Sequence, residues 1–369
     1  DTWLANQLLS NISSNTKLLI VGDADQLPSV SPGQVLSDLL QIPSIPQVKL
    51  EHIFRQSEDS TIVTLASQIR KGQLPPDFTE KKPDRSYFEA PSELVAPMIE
   101  KITSAALRNG IPARDIQVLA PMYRGSAGID QINSLMQELL NPLETDALFF
   151  QALDCQYRNG DKVIHLVNDA ESNVFNGDIG YITDLLPAKY TESKQDELTI
   201  QFDGNELVYP RNEWYKIRLA YAMSIHKSQG SEFPVVILPL TNQSRRMLQR
   251  NLIYTAITRS KSKLILLGEY TAFHFATQNT GTARKTYLIE RFSDVPPQRT
   301  DSSSQSPVHL EEPAKKTEPQ SKLVSVENHS DSSDSQPSQQ GYRLTEDNYL
   351  SIDPMIGLTE EEIQHFFKN

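Results

Sequence analysis

Four consecutive aliphatic residues, Val235-Val236-Ile237-Leu238, constrain this fold most. Such a run reads as a strand buried on both faces, as in the parallel sheets of α/β cores. The segment just before it has the opposite character. Between Leu219 and Phe233 stand a hydroxyl, an imidazole, an ammonium, an amide, a glycine and a carboxylate: Ser224, His226, Lys227, Gln229, Gly230 and Glu232. A polar loop between core elements accounts for any one of them. As a set, so many donors and acceptors against a core strand suit a site that holds a polyanion.

Length and charge set bounds on that site. A chain of 369 residues has room for two or three domains with substantial cores. A formal net charge of −12 excludes a uniformly basic nucleic-acid coat, so any such contact rests on a local patch. The single cysteine, Cys155, excludes a disulfide framework and fits a reducing, cytoplasmic setting. It has no companion for metal or redox work and reads as structural. No apolar run approaches the roughly 18 residues of a membrane span, and no secretory signal opens the chain, so no membrane partner is expected.

Taken in order, the chain starts with Trp3, Leu4 and Leu8 at helical spacing behind the capping-type residue Asp1. Lys17–Val21 reads as a buried strand, and it runs into a loop, Gly22-Asp23-Ala24-Asp25-Gln26-Leu27-Pro28-Ser29-Val30. Ligands of open α/β sheets bind where strands end, although an ordinary Gly/Asp/Pro turn has the same composition. Ile62, Leu65, Ala66 and Ile69 mark an amphipathic helix stopped at Lys71-Gly72. Residues 73–92 are polar and Pro-rich and read as an irregular excursion. A helix over about 93–108, a strand over 116–120 and a helix over about 129–140 follow, the last stopped by Asn141-Pro142. Between about 147 and 215 come short alternating strands at 161–167, 180–185, 197–202 and 206–209, divided by the turn signals Asn176-Gly177-Asp178 and Asp203-Gly204-Asn205. That pattern predicts a small β-barrel. Beyond it, Leu252, Ile253, Ala256 and Ile257 lie on one side of a helix that delivers Arg259, and Leu264–Leu267 is another core strand.

Several of these stretches resemble motifs of superfamily 1 nucleic-acid helicases. Leu219 to Phe233 resembles motif V, in which Ser224, His226 and Lys227 would lie along single-stranded nucleic acid while Gly230 and Glu232 turn toward the nucleotide. Gly22–Val30 resembles motif III, with Gln26 as the γ-phosphate sensor. Leu50-Glu51-His52-Ile53-Phe54-Arg55-Gln56 resembles motif IV, and Arg250–Ser260 resembles motif VI. Their arginines, Arg55 and Arg259, would reach the γ-phosphate, where a planar, always-charged guanidinium matches phosphate oxygens. Ala-Pro-Met-Tyr-Arg-Gly at 120–125, with the following Ile-Asp-x-Ile-Asn-x-x-Met-Gln, is similar to the RecD-like branch. Tyr123 and Arg124 would there offer a stacking ring and a phosphate partner, though a core tyrosine beside a solvated arginine fits the same letters. Gly-Asp-Lys-Val at 160–163 with Phe-Asn-Gly-Asp-Ile-Gly at 175–180 resembles the SH3-like insertion of that branch, which helps close the DNA channel; a passive spacer is the alternative.

The resemblance implies an α/β, RecA-like (P-loop NTPase type) architecture. Residues 1–46 are expected to be a remnant of a first motor domain. Residues 47–145 and 216–292 form a second motor domain, 146–215 an inserted SH3-like β-barrel, and 293–369 an acidic tail. From Pro296 the composition becomes Ser, Gln, Pro and acid, about 13 Asp/Glu against 6 Lys/Arg, which predicts disorder. At its end Thr359 with Glu362, and Leu358 with Ile363, form a capping box and a hydrophobic staple, either a docking helix for a protein partner or a frayed terminus. No Gly-x-x-x-x-Gly-Lys-[Ser/Thr] occurs in the chain, nor an Asp-Glu after a strand to hold Mg²⁺. The expectation is therefore the C-terminal half of a RecD-like, 5′→3′ DNA helicase of recombination and repair. ATP and Mg²⁺ would be its cofactors, with their main ligands outside this chain, in the N-terminal half of the motor. Single-stranded DNA and duplex junctions would be its substrates. The rival expectation is a non-catalytic DNA-binding or scaffold module that keeps the fold.

Overall fold

The computed structural model describes residues 1–50, 60–152 and 154–292, with the pairs 352–353 and 358–359. Helices α1 (Thr2–Asn11), α2 (Val35–Leu39) and α3 (Thr61–Arg70) precede β1 (Arg85–Glu89), α4 (Ser92–Arg108), β2 (Ile116–Ala120) and α5 (Ile129–Leu140). Short strands follow: β3 (Phe149–Gln151), β4 (Gln156–Arg158), β5 (Lys162–His165), β6 (Ile179–Leu186), β7 (Glu197–Gln201), β8 (Glu206–Pro210) and β9 (Ile217–Leu219). The chain continues through β10 (Ala222–Ser224), β11 (Phe233–Leu240), α6 (Arg250–Ile257), β12 (Ser260–Gly268), α7 (Tyr270–Gln278) and α8 (Leu288–Phe292). Two-residue strands β13 (Ile352–Asp353) and β14 (Leu358–Thr359) pair antiparallel. The rest of the expected terminal helix, and Arg55, lie outside the described residues.

The aliphatic run occupies the middle of a parallel five-stranded sheet, ordered β1-β12-β11-β2-β10. Because side chains alternate across a strand, β11 divides its residues between two helical layers. Val236, Leu238 and Leu240 pack with α3, α6 and α7. Val235 and Ile237 pack with α4 and α5. Full burial of side chains of this size is worth about 1.5–3 kcal/mol each, which is why the strand sits here and not at an edge. Helix α3 buries Ile62, Leu65, Ala66 and Ile69, as their spacing predicts. Its first turn is capped from a distance: the Asp84 carboxylate accepts from Ser60 Oγ (2.8 Å) and Thr61 N (2.9 Å).

The second sheet is antiparallel, ordered β8-β7-β6-β5-β9. Its turns fall where the Asn-Gly and Asp-Gly signals put them, with Gly177 and Gly204 at φ of +107° and +84°. Trp214 anchors its interior, stacked on Phe150 at 5.6 Å between ring centroids and edge-on to Tyr157 at 5.8 Å. The result is a mixed α/β fold carrying an inserted SH3-like module.

Two expectations require correction. Lys17–Val21 is not a buried strand: it has no ladder partner among the described residues, and Leu19 and Val21 are 85% and 81% exposed. A strand needs a neighbour's N–H and C=O groups, and the parallel sheet here is filled by other segments. Residues 73–92 are not wholly irregular either, since Arg85–Glu89 forms the edge strand β1, in register with Leu264–Gly268. An edge strand pairs on one side only, so its sequence carries a weak signal. No described helix is long and apolar enough to cross a membrane.

Candidate functional site

At the amino ends of β11 and β12 three separate stretches meet on one guanidinium. Arg259, 4% exposed, follows α6. Its Nη2 donates to Gln26 Oε1 (3.1 Å), its Nη1 to the Ser231 carbonyl (3.2 Å) and its Nε to the Thr255 carbonyl (3.2 Å). Gln26 also donates to Asp23 Oδ2 (3.1 Å), which accepts from the Tyr254 hydroxyl (3.0 Å). Burial, with the Asp23 carboxylate beside it, pushes the Tyr254 phenol up to about 12. Leu27 N donates to Thr255 Oγ1 (2.8 Å), Gln229 Nε2 donates to the Leu27 carbonyl (2.7 Å), and Arg284 spans the carbonyls of Ser29, Ser31 and Gly33. The Gly22–Val30 loop is thus held against α6 by named polar bonds. Gly230 is exposed at φ +87°, and Glu232 lies 3.7 Å from the Lys261 ammonium.

The carboxyl ends of β2 and β10 carry the other expected residues. Tyr123 is 44% exposed and Arg124 is exposed, on a loop drawn tight at Gly128. A Cβ at Gly128 would lie 2.4 Å from the Tyr123 carbonyl, so the turn that presents both side chains needs glycine. Lys227 and Tyr123 line one cavity of about 230 Å³ between α5, β5 and β9, together with Asp130, Asp154 and Arg218. The Lys227 ammonium donates to Asn176 Oδ1 (2.7 Å) in the barrel's Asn-Gly turn, which places the barrel against this segment. Ser224 is buried, and its hydroxyl accepts from Lys227 N (3.3 Å). His226 is half-buried, and burial holds its imidazole below the ordinary value. Burial also lowers Lys227.

A buried polar cluster, which the residue pattern did not assign, fixes the strand leading into Ser224. Asp161, fully buried, accepts from Gln137 Nε2 (2.6 Å), Arg158 N (2.7 Å), Asn141 Nδ2 (2.8 Å) and the Tyr221 hydroxyl (2.9 Å). Burial outweighs these donors and keeps its pKa above the usual carboxylate range. Asn133 accepts from Ala222 N and donates to the Ala222 carbonyl, and Gln117 Nε2 reaches the carbonyls of Ala220 and Tyr221. The signal was present: Asn133 and Gln137, four apart, interrupt the apolar stripe of Ile129, Ile132 and Met136. Thr255 is likewise a polar residue within the apolar face of α6.

Sequence models of known families match three segments. One described as UvrD-like helicase C-terminal domain covers residues 219–267, one described as ATP-dependent RecD-like DNA helicase SH3 domain covers 132–202, and one described as AAA domain covers 1–88. The chain belongs to the RecD/superfamily 1 helicases. It is similar to the ATP-dependent RecD2 DNA helicase of Deinococcus radiodurans, 32% identical over 290 residues that cover 77% of this chain and 37% of the relative. The RecBCD enzyme subunit RecD of Mycolicibacterium smegmatis is 28% identical over 278 residues, 71% of this chain and 47% of the relative. The chain therefore spans between a third and a half of the length of these RecD-like proteins. A solved structure of Bacteroides Pif1 bound to ssDNA overlaps 59% of this chain and 51% of that one, at 18% identity and a TM-score of 0.40.

The RecD-like assignment implies ATP and Mg²⁺. The donor set around Arg259 and Gln26 fits the phosphate end of a nucleotide, being a guanidinium and an amide that already share one hydrogen bond. For the metal the fit is different: no group of three or more His, Cys, Asp or Glu gathers among the described residues.

Proposed function

We propose that this chain supplies the second motor domain and β-barrel of an ATP-dependent, RecD-like DNA helicase that moves 5′→3′ on single-stranded DNA. Its bounds follow those read from the sequence, 47–145 and 216–292 around the insertion at 146–215, with 1–46 belonging to the first motor domain. One observation carries the reading, the meeting of Gln26, Ser231 and Arg259 in one hydrogen-bonded group across stretches far apart in the chain. Arg259 would neutralise charge developing on the transferred phosphoryl group, with Gln26 orienting beside it and Arg55 joining from its own segment. Bound ATP with Mg²⁺ supplies the free energy of hydrolysis. Gly230 and Glu232 flank the nucleotide. Lys227, Tyr123 and Arg124 meet the strand, and Ser224 and His226 shape the turn that carries the lysine.

Coupling follows from which edge of the sheet each set occupies. Phosphate groups act at the amino ends of β11 and β12, strand contacts at the carboxyl ends of β2 and β10, and Ser224 to Ser231 joins the two edges. A shift of Ser231 with Arg259 is thereby transmitted to Lys227 within four residues. The exposed apolar side chains of Trp3, Leu4, Leu19 and Val21 support a covering by further parts of a first motor domain, which would also bring the phosphate loop and the magnesium carboxylates. The test is direct. The isolated chain should bind single-stranded DNA and hydrolyse no ATP above background. Turnover by this chain alone, abolished by Arg259→Ala, contradicts the division of labour proposed here.

A further inference from the structure

The cavity at Lys227 does not by itself hold a polyanion well. Its lining places Asp130 and Asp154 against Arg218 and Lys227, so its charges nearly balance, and Arg218 is paired with Asp154 at 3.0 Å. A strand with one charge per nucleotide needs more positive potential than that. The neighbouring surface supplies it. An open groove follows β11, lined by Asn242, Gln243, Arg245, Arg246, Phe275 and Asn279, with no carboxylate in its lining. Arg245 and Arg246 form no ion pair among the described residues, and both are exposed. The Arg245 guanidinium lies 4.0 Å over the Phe275 ring, which orients it before any ligand arrives. Asn242 fixes the loop, donating its side-chain amide to Thr271 Oγ1 (2.8 Å) and its backbone N–H to the Glu269 carboxylate.

Topology places this groove in line with the first site. The sheet order β11-β2-β10 sets three carboxyl ends side by side. The loop after β10 carries Lys227, the loop after β2 carries Tyr123 and Arg124, and the loop after β11 carries Gln243, Arg245 and Arg246. The last two loops touch, since a Cβ at Gly125 would lie 3.2 Å from Gln243 Oε1. We propose that the Arg245–Arg246 groove is a second backbone subsite for the same single strand, which crosses the carboxyl edge of the sheet from Lys227 past Tyr123 to Arg245. This rests on the single-strand binding proposed above, and it adds a site, a path and a direction across the sheet. The guanidiniums would contact successive phosphates, without reading bases.

The test is the salt dependence of binding of a fluorescent oligothymidylate to the whole 369-residue chain. Each phosphate contact on a single strand contributes about −0.7 to the slope of log K against log salt. Arg245→Ala with Arg246→Ala should flatten the slope by about 1.4, and Lys227→Ala by about half as much, with the two effects adding. Arg245→Lys with Arg246→Lys, which keeps the charge, should restore most of the slope. An unchanged slope in the double alanine variant, with Lys227→Ala still flattening it, overturns the second subsite and leaves the function intact. No salt-dependent binding by the unaltered chain overturns both. Competition by inorganic phosphate at fixed ionic strength, seen with the native groove and lost in the double variant, would make it a discrete anion site and overturn the strand path.

Discussion

Lys162 shows how a single side chain can be read against its surroundings. It is buried between the barrel and the parallel sheet, with its ammonium 3.4 Å from the carbonyls of Arg114 and Ile116. Burial pushes its pKa down to about 8, with Asp115 pulling weakly the other way. A group lowered from about 10.4 binds fewer protons folded than unfolded between those two values, so its contribution to stability rises with pH from about 8 to about 10.4. Lys162→Met should therefore raise the melting temperature at pH 7, and the gain should shrink as pH climbs through that window. A variant less stable than the native chain at pH 7 would mean that the two carbonyl bonds outweigh burial. At His226 burial lowers the pKa in the same direction, and the readout is binding. Its lowered pKa leaves it neutral at pH 7, so the salt slope of DNA binding should not change between pH 7 and 8. A steeper slope at pH 7 would give His226 a charge in the contact.

At the level of elements, the clamp around Asp161 joins α5, the barrel and the strand entering Ser224. Asp161→Ala would leave the Tyr221 hydroxyl and the Arg158 N–H without an acceptor, at about 1–3 kcal/mol for each that finds no water. It would also cost Gln137 and Asn141 one of their two bonds, the others going to the Gln156 and Asn159 carbonyls. Chemical denaturation should show a loss of several kcal/mol; a loss under about 1 kcal/mol would make the clamp incidental. The cap of α3 adds a pH signature. Burial raises Asp84, but the bonds from Thr61, Ser60 and Ile62 outweigh it and its pKa is lowered. Its stabilisation is present above the unfolded carboxylate value and is lost as pH falls through the folded one, and Asp84→Asn should remove that acid-side slope. Elements with a full period were legible in the sequence: α3, β2, α5 and β11 lie where their apolar spacing put them. Elements set by pairing were not. β1 shows only as an edge beside β12, and Lys17–Val21 has the letters of a strand without a neighbour to bond. At the candidate site, Gln26 and Arg259 were singled out by resemblance to helicase motifs, and the fold joins them by a hydrogen bond. Tyr254, Thr255, Arg284 and Arg245 act through contacts across hundreds of residues or through a ring, which no local pattern encodes.

For the whole molecule, the central claim is that Arg259 serves hydrolysis while the carboxyl edge of the sheet serves the strand. The two functions should therefore separate under mutation. The most direct measurement is single-strand-stimulated ATP hydrolysis by the motor completed with a segment bearing the phosphate loop, comparing the native chain with Arg259→Ala. A lost arginine of this kind is worth roughly 10³–10⁵ in rate, so turnover should fall by that order while oligothymidylate affinity stays nearly unchanged. Turnover within about tenfold of native in the Arg259→Ala motor, or a parallel loss of strand affinity, would contradict the account.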